Sequence, residues 1–145
     1  MMDLKKEFES YREKRKPQLY FRTLSDNCDM SLYNDSELLK RMVRYLLDNA
    51  CKFTHKGGVS LLCRSTEHHF EIIVSDSGIG IPDDKTDFAF RKFCKVIEPD
   101  TMVYEGAGIG LTNARGLALL LNGTIELSST RGEGTSVTVS FPLKN

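Results

Sequence analysis

Apolar residues along this chain follow two rhythms. From Leu39 they recur at helical spacing, as Leu39, Met42, Val43, Leu46, Leu47, Ala50 and Phe53, which predicts a helix with one broad buried face. Asn34, with Glu37 three places on, forms a capping box at its start. A second stripe, Leu111, Ala114, Leu117, Ala118 and Leu121, predicts another helix, opened by the glycine run 106–110 and ended by the C-cap pair Asn122-Gly123. Elsewhere the apolar residues crowd into short runs. Residues 19–24, 30–33, 59–64, 70–76, 124–129 and 135–141 read as strands, with turns at Ser25-Asp26-Asn27, Lys56-Gly57-Gly58, residues 65–68 and the hairpin 130–134.

Two stretches break the rhythm. Residues 3–16 are strongly charged and place Leu4, Phe8 and Tyr11 at i, i+4, i+7, a helix with a thin apolar seam ended by Pro17. Such a seam needs a partner surface, so residues 1–17 read as a linker helix and residues 18–145 as one globular domain. From Pro82 to Ala107 the pattern fades to Phe88, Phe90 and Phe93, with a breaker at Glu98-Pro99-Asp100. A weakly patterned segment of that length inside a compact domain is usually functional or mobile.

Composition narrows the function classes. A chain of 145 residues with no internal repeat can bury one real core. Its formal charge of +0 gives no electrostatic footprint for nucleic acid, and Lys14-Arg15-Lys16 sits among Glu7, Glu9 and Glu13 as a solvated helix face. Cys28, Cys51, Cys63 and Cys94 form no CxxC pair, so they are expected as free thiols in a reducing cytosol. His55, His68 and His69 lack cysteine partners for a metal cluster. With no bilayer-length apolar run and no signal peptide, a cytoplasmic domain without direct membrane contact is expected.

Three stretches carry chemistry. Asp76 ends an apolar strand and enters the loop Ser77-Gly78-Ile79-Gly80-Ile81-Pro82. An ionised carboxylate only accepts hydrogen bonds, which suits a ligand edge bearing an NH2 group, such as adenine. Gly78 and Gly80 permit positive φ and close approach to a flat ring, and Ile79 and Ile81 flank it. The same residues also make an ordinary Gly-rich turn. The run Gly106-Ala107-Gly108-Ile109-Gly110-Leu111 sets glycines before a helix N-terminus, where backbone N–H groups favour an anion. It is neither a P-loop, which needs GK[ST], nor a Rossmann loop, which needs G-x-G-x-x-G after a buried strand. On the first helix, Tyr45, Asn49 and Lys52 share one face. Asn49 offers a neutral amide oxygen suited to Mg²⁺, and Lys52 a point charge for phosphate. Taken singly, Asn49 could bond nearby backbone and Lys52 face solvent.

Together these stretches form a family pattern. Residues 46–54, Leu-Leu-Asp-Asn-Ala-Cys-Lys-Phe-Thr, resemble the N box of the histidine-kinase branch of the GHKL ATPases. Residues 76–80 resemble its G1 box, Phe90-Arg91-Lys92-Phe93-Cys94-Lys95 its F box, and residues 106–111 its G2 box. The four boxes, in order, cover residues 18 to 142. The resemblance implies a Bergerat fold: a two-layer α/β (α+β) sandwich, its sheet mixed and mostly antiparallel, with helices packed on one face and ATP between. It further implies that Asp76 accepts from the adenine amino group, Phe53 packs on the ring, and Thr135 helps fix a bridging water. Asn49 would carry Mg²⁺. Lys52, Lys92 and Lys95 would face the phosphates, and Gly106, Gly108 and Gly110, with Leu111, would edge a mobile lid at 96–107.

Two departures bear on activity. Tyr45 stands where the family commonly has Asn or His, leaving metal binding to Asn49, phosphates and water. No histidine here lies in a phospho-acceptor helix, so the acceptor and its dimerisation domain are expected upstream or on a partner. The implied function is the ATP-binding catalytic domain of a two-component sensor histidine kinase. It would sit in the cytoplasmic portion of a membrane-anchored sensor, with a response regulator downstream. The alternatives are a hydrolysing clamp, for which Tyr45 replaces the glutamate base, an anti-sigma-type serine kinase or regulator, and a degenerate nucleotide-binding module.

Overall fold

In the computed structural model, the structure describes residue 10 and residues 20–26, 36–54, 56–81 and 110–143. Seven elements fall within these: β1 (Tyr20–Asp26), α1 (Ser36–Lys52), β2 (Gly58–Ser65), β3 (His69–Asp76), α2 (Gly110–Leu120), β4 (Thr124–Thr130) and β5 (Gly134–Pro142). Apart from residue 10, the expected helix at 3–16 lies outside the described residues, as do the strand at 30–33, Asn34 of the capping box and the weak segment 82–107.

The strands form one sheet in the order β1-β2-β3-β5-β4. β1 runs parallel to β2, and every other pairing is antiparallel, so the sheet is mixed and mostly antiparallel as expected. Alternate residues of the central strands are buried: Val59, Leu61 and Cys63 on β2, Phe70, Ile72 and Val74 on β3, Val137, Val139 and Phe141 on β5. That period of two marks a sheet with one covered face. The cover is helical. Leu39, Met42, Val43, Leu46, Leu47 and Ala50 of α1 are buried, together with Leu111, Ala114 and Ala118 of α2, and all belong to one core cluster. Cys51 and Cys63 are buried in it as thiols, whereas Cys28 and Cys94 lie outside the described residues.

Two local differences from the sequence reading have physical causes. Ser25 and Asp26, read as turn formers, continue β1, because the parallel ladder pairs them with Cys63 and Arg64. α1 stops at Lys52, which leaves Phe53 in the following turn and half-buried rather than on the core face. At the end of α2 the expected C-cap pair is present, with Asn122 as its left-handed residue (φ 61). Gly123 N–H donates to the Ala118 carbonyl at 2.7 Å and Asn122 N–H to that of Leu119 at 3.1 Å, which makes a Schellman cap with Asn122 at its turning position. Gly123 is needed for space instead, since a Cβ there would lie 2.6 Å from the Phe141 ring.

Candidate functional site

The site grows from the end of β3. Asp76 is its last residue, lying between Val59 of β2 and Thr135 of β5. Its Oδ1 accepts the Gly78 N–H at 2.9 Å and the Thr135 N–H at 3.3 Å. Because both backbone donors fall on one oxygen, the accepting capacity left over lies mainly on Oδ2. Burial pushes the Asp76 carboxyl above its ordinary value, against the downward pull of the Gly78, Thr135 and Thr54 hydrogen bonds. Thr54 itself is fully buried, and its hydroxyl reaches the Ala50 carbonyl at 2.7 Å. Its hydroxyl thus lies between the helix end and the carboxylate.

The loop after Asp76 is laced to three elements. Ser77 N–H donates to the Gly58 carbonyl at 3.1 Å, and Gly58 N–H returns to Ser77 Oγ at 2.9 Å, fixing the loop to the start of β2. Ile79 N–H donates to the Phe53 carbonyl at 3.0 Å, reaching the end of α1. The Ile79 carbonyl accepts the Gly132 N–H at 2.6 Å, and Ile81 N–H donates to Ser129 Oγ at 2.7 Å, which ties the loop to the β4–β5 hairpin. Gly80 takes the positive φ expected of it, and both glycines are required for a further reason as well. A Cβ on Gly78 would stand 2.2 Å from the Phe53 carbonyl oxygen and 2.9 Å from Asp76 Oδ1. Only Gly80 has a positive φ, 71°, and a Cβ there would meet the Thr130 carbonyl oxygen at 2.0 Å. The close approach is to protein backbone.

Asn49 and Lys52 occupy the last turn of α1, next to this loop. Asn49 is half-buried, and its carboxamide has no hydrogen-bond partner among the described residues. Lys52 is exposed, with no ion-pair partner among them. A single amide oxygen at a half-open position fits Mg²⁺, which keeps several waters and rarely uses an all-protein cage. Tyr45, one turn earlier, packs against the core cluster. Ile81 also packs against the core, and Leu111 is buried within it at the start of α2. Gly110 is the first residue of α2. Lys92, Lys95, Gly106 and Gly108 lie outside the described residues. The structure therefore brings Asn49, Phe53, Asp76, Gly78, Gly80, Ile81 and Thr135 to one end of the sheet.

Sequence reasoning missed three contributors. Thr54 was signalled only by a small polar residue directly after an apolar helix face. Ser77 reads as a turn former and proves to be a clamp. Ser129 has no local signal, since its part follows from lying opposite Thr135 across β4 and β5. A shallow depression of about 250 Å³, lined by Arg22, Val59, Ser60, Ser75 and Ser77 among others, opens beside the same strand end. Ser60 and Ser75 alternate with buried neighbours and so belong to the face of the sheet opposite α1.

A sheet with helices on one side and a carboxylate–glycine loop at the strand end is the architecture of a nucleotide-binding α/β sandwich. The sequence model described as "Histidine kinase-, DNA gyrase B-, and HSP90-like ATPase" matches residues 34–145, and the chain belongs to that family. It is 36% identical over 109 residues, 74% of its length, to an uncharacterized sensor-like histidine kinase of Rhizobium meliloti. It is 32% identical over 123 residues, 81% of its length, to the autoinducer 2 sensor kinase/phosphatase LuxQ of Vibrio parahaemolyticus. The chain spans 21% and 14% of the lengths of these two relatives. Its fold matches that of full-length ShkA, solved in complex with AMPPNP, with a TM-score of 0.83 at 21% identity, covering 98% of this chain and 29% of that one.

Proposed function

We propose that this chain is the ATP-binding catalytic domain of a sensor histidine kinase, transferring the γ-phosphoryl group of ATP to a histidine on a dimerisation domain outside the chain. The observation that carries the reading is the Asp76 carboxylate. Its Oδ1 is fixed by two backbone N–H groups, and the lone pairs that Gly78, Thr135 and Thr54 do not occupy are left to accept from an adenine amino group. Asn49 would hold Mg²⁺, and Lys52, Lys92 and Lys95 would meet the phosphates, while Phe53 would lie against the base. Gly106, Gly108 and Gly110 would edge the lid over it. The sensor-kinase character of the relatives supports the class of acceptor and a response regulator as the eventual recipient. Among the described residues no helix is long and apolar enough to cross a membrane.

In phosphoryl transfer the protein's share is positioning and charge neutralisation, which a metal-bearing amide, lysines and a base clamp can supply. Hydrolysis would need a base beside the Asn49 face. Tyr45 holds that place and is packed into the core, which favours transfer over hydrolysis. The test is reconstitution with a histidine-bearing dimerisation domain. The chain should bind ATP without labelling itself, and it should phosphorylate the partner in a Mg²⁺-dependent reaction that Asn49→Ala abolishes. Undiminished transfer by Asn49→Ala, or label on this chain alone, would refute the assignment.

A further inference from the structure

Ser129 stands at a junction of three hydrogen bonds. Its Oγ accepts the Ile81 N–H at 2.7 Å, lies 3.0 Å from the Gly134 carbonyl oxygen and lies 2.7 Å from Thr135 Oγ1. A serine hydroxyl has one proton and two lone pairs. The carbonyl can only accept, so Ser129 gives its proton to Gly134. The remaining contact then has one solution: the Thr135 hydroxyl donates to Ser129. Every position on Ser129 Oγ is used, and the proton of Thr135 is used with it.

Thr135 lies opposite Asp76 in the β3–β5 register, so the two side chains share a face about 5 Å apart. With its proton turned toward Ser129, Thr135 presents only lone pairs to whatever lies beside Asp76. Resting on the proposed nucleotide reading, we infer that Ser129 is a specificity-determining positioning residue: it orients the Thr135 hydroxyl so that it adds a second acceptor beside the Asp76 carboxylate in the base pocket. The exocyclic amino group of adenine meets such a pocket with donors. The carbonyl at the same ring position of guanine or hypoxanthine meets it with lone pairs. A pocket of fixed polarity rejects a ligand of the wrong polarity far more strongly than it rejects one of slightly wrong shape.

Removing the Ser129 hydroxyl would do two separable things. The Ile81 N–H would lose its acceptor and loosen the loop, which weakens all purine nucleotides alike. The Thr135 proton would be released to turn into the pocket, which favours a purine carbonyl and changes the ratio between nucleotides. Competition of ATP and of GTP against a fluorescent ATP analogue, on the purified chain, reads the two effects apart. In Ser129→Ala the preference for ATP over GTP should fall about fivefold or more, the scale of one hydrogen bond gained or lost. Ser129→Thr, which keeps the hydroxyl, should restore it. Should Ser129→Ala fail to fold, Thr135→Val carries the test: loss of preference supports the inference and full retention overturns it. Equal weakening of ATP and GTP by Ser129→Ala, with the ratio unchanged, overturns the orientation role while leaving the nucleotide reading intact. A wild-type chain without preference for ATP overturns both.

Discussion

Asp76 is held where burial opposes its charge, and the consequence can be measured. The folded carboxyl keeps its proton more tightly than the unfolded one, whose ordinary value is 3.8. Well below that value both states are protonated and the group contributes nothing. As pH rises through the window between the unfolded and folded values, the unfolded chain releases its proton first, so stability falls, and above the window the full cost of the buried charge persists. In Asp76→Asn the amide oxygen can still accept from Gly78 and Thr135, but no charge is buried. The melting temperature of the variant should therefore gain on wild type as pH rises from below the ordinary value of 3.8 to above it, while ATP affinity drops about tenfold or more. Affinity for ATP in wild type should likewise fall on acidification, because a protonated carboxyl has given up acceptor capacity. Gly78 makes the complementary case. Its absent Cβ would stand 2.2 Å from the Phe53 carbonyl oxygen, a backbone atom that cannot swing away. Gly78→Ala should cost about 1–3 kcal/mol in denaturant unfolding and displace the carboxylate from its donors.

The helix α2 contains a contrast between two glycines. Gly116 is exposed within the helix, and a Cβ there would meet nothing within 4 Å, whereas Gly123, just beyond its cap, faces the Phe141 ring. Gly116→Ala should raise stability by about 0.5–1 kcal/mol by restricting the unfolded chain, and Gly123→Ala should lower it, both read from denaturation midpoints at constant slope. The existence of this helix and of α1 was legible in the sequence, because a buried helical face leaves its own 3.6-residue signature on the chain. Strand limits were less so. The extension of β1 through Ser25 and Asp26 is written in β2, its parallel partner, and local composition there speaks for a turn. The site divides along the same line. Asp76, Asn49, Gly78 and Gly80 stood out as candidates because the proposed chemistry resides in the residue type and its neighbours. Ser129 did not, since the role inferred for this ordinary strand serine depends on the register that sets it opposite Thr135.

For the molecule as a whole, the sheet order β1-β2-β3-β5-β4 places the site where no single stretch of chain could build it. The ends of β3 and α1 and the β4–β5 hairpin converge there, and the loop 77–81 is the strap between them. That convergence was legible only through the resemblance between motifs, because the pairing of β3 with β5 joins residues far apart in sequence and leaves no periodic trace. It also decides what a ligand should do to stability. A nucleotide seated on Asp76 with its phosphates toward Asn49 would bridge elements that now meet mainly through backbone hydrogen bonds. At ATP about 100 times its dissociation constant, with Mg²⁺, linkage gives about 2.7 kcal/mol. For a domain of this size that corresponds to a rise in melting temperature of roughly 8 °C. Removing Mg²⁺ should shrink the rise in wild type but leave it unchanged in Asn49→Ala, because the variant has no metal-dependent affinity to lose. Amide exchange should slow most at Ile79, Ile81 and Gly132, whose N–H groups tie the loop to α1 and to the hairpin. A nucleotide that raises the melting temperature while leaving those three amides unprotected would be binding elsewhere, and the assignment of this strand end as the base pocket would fall.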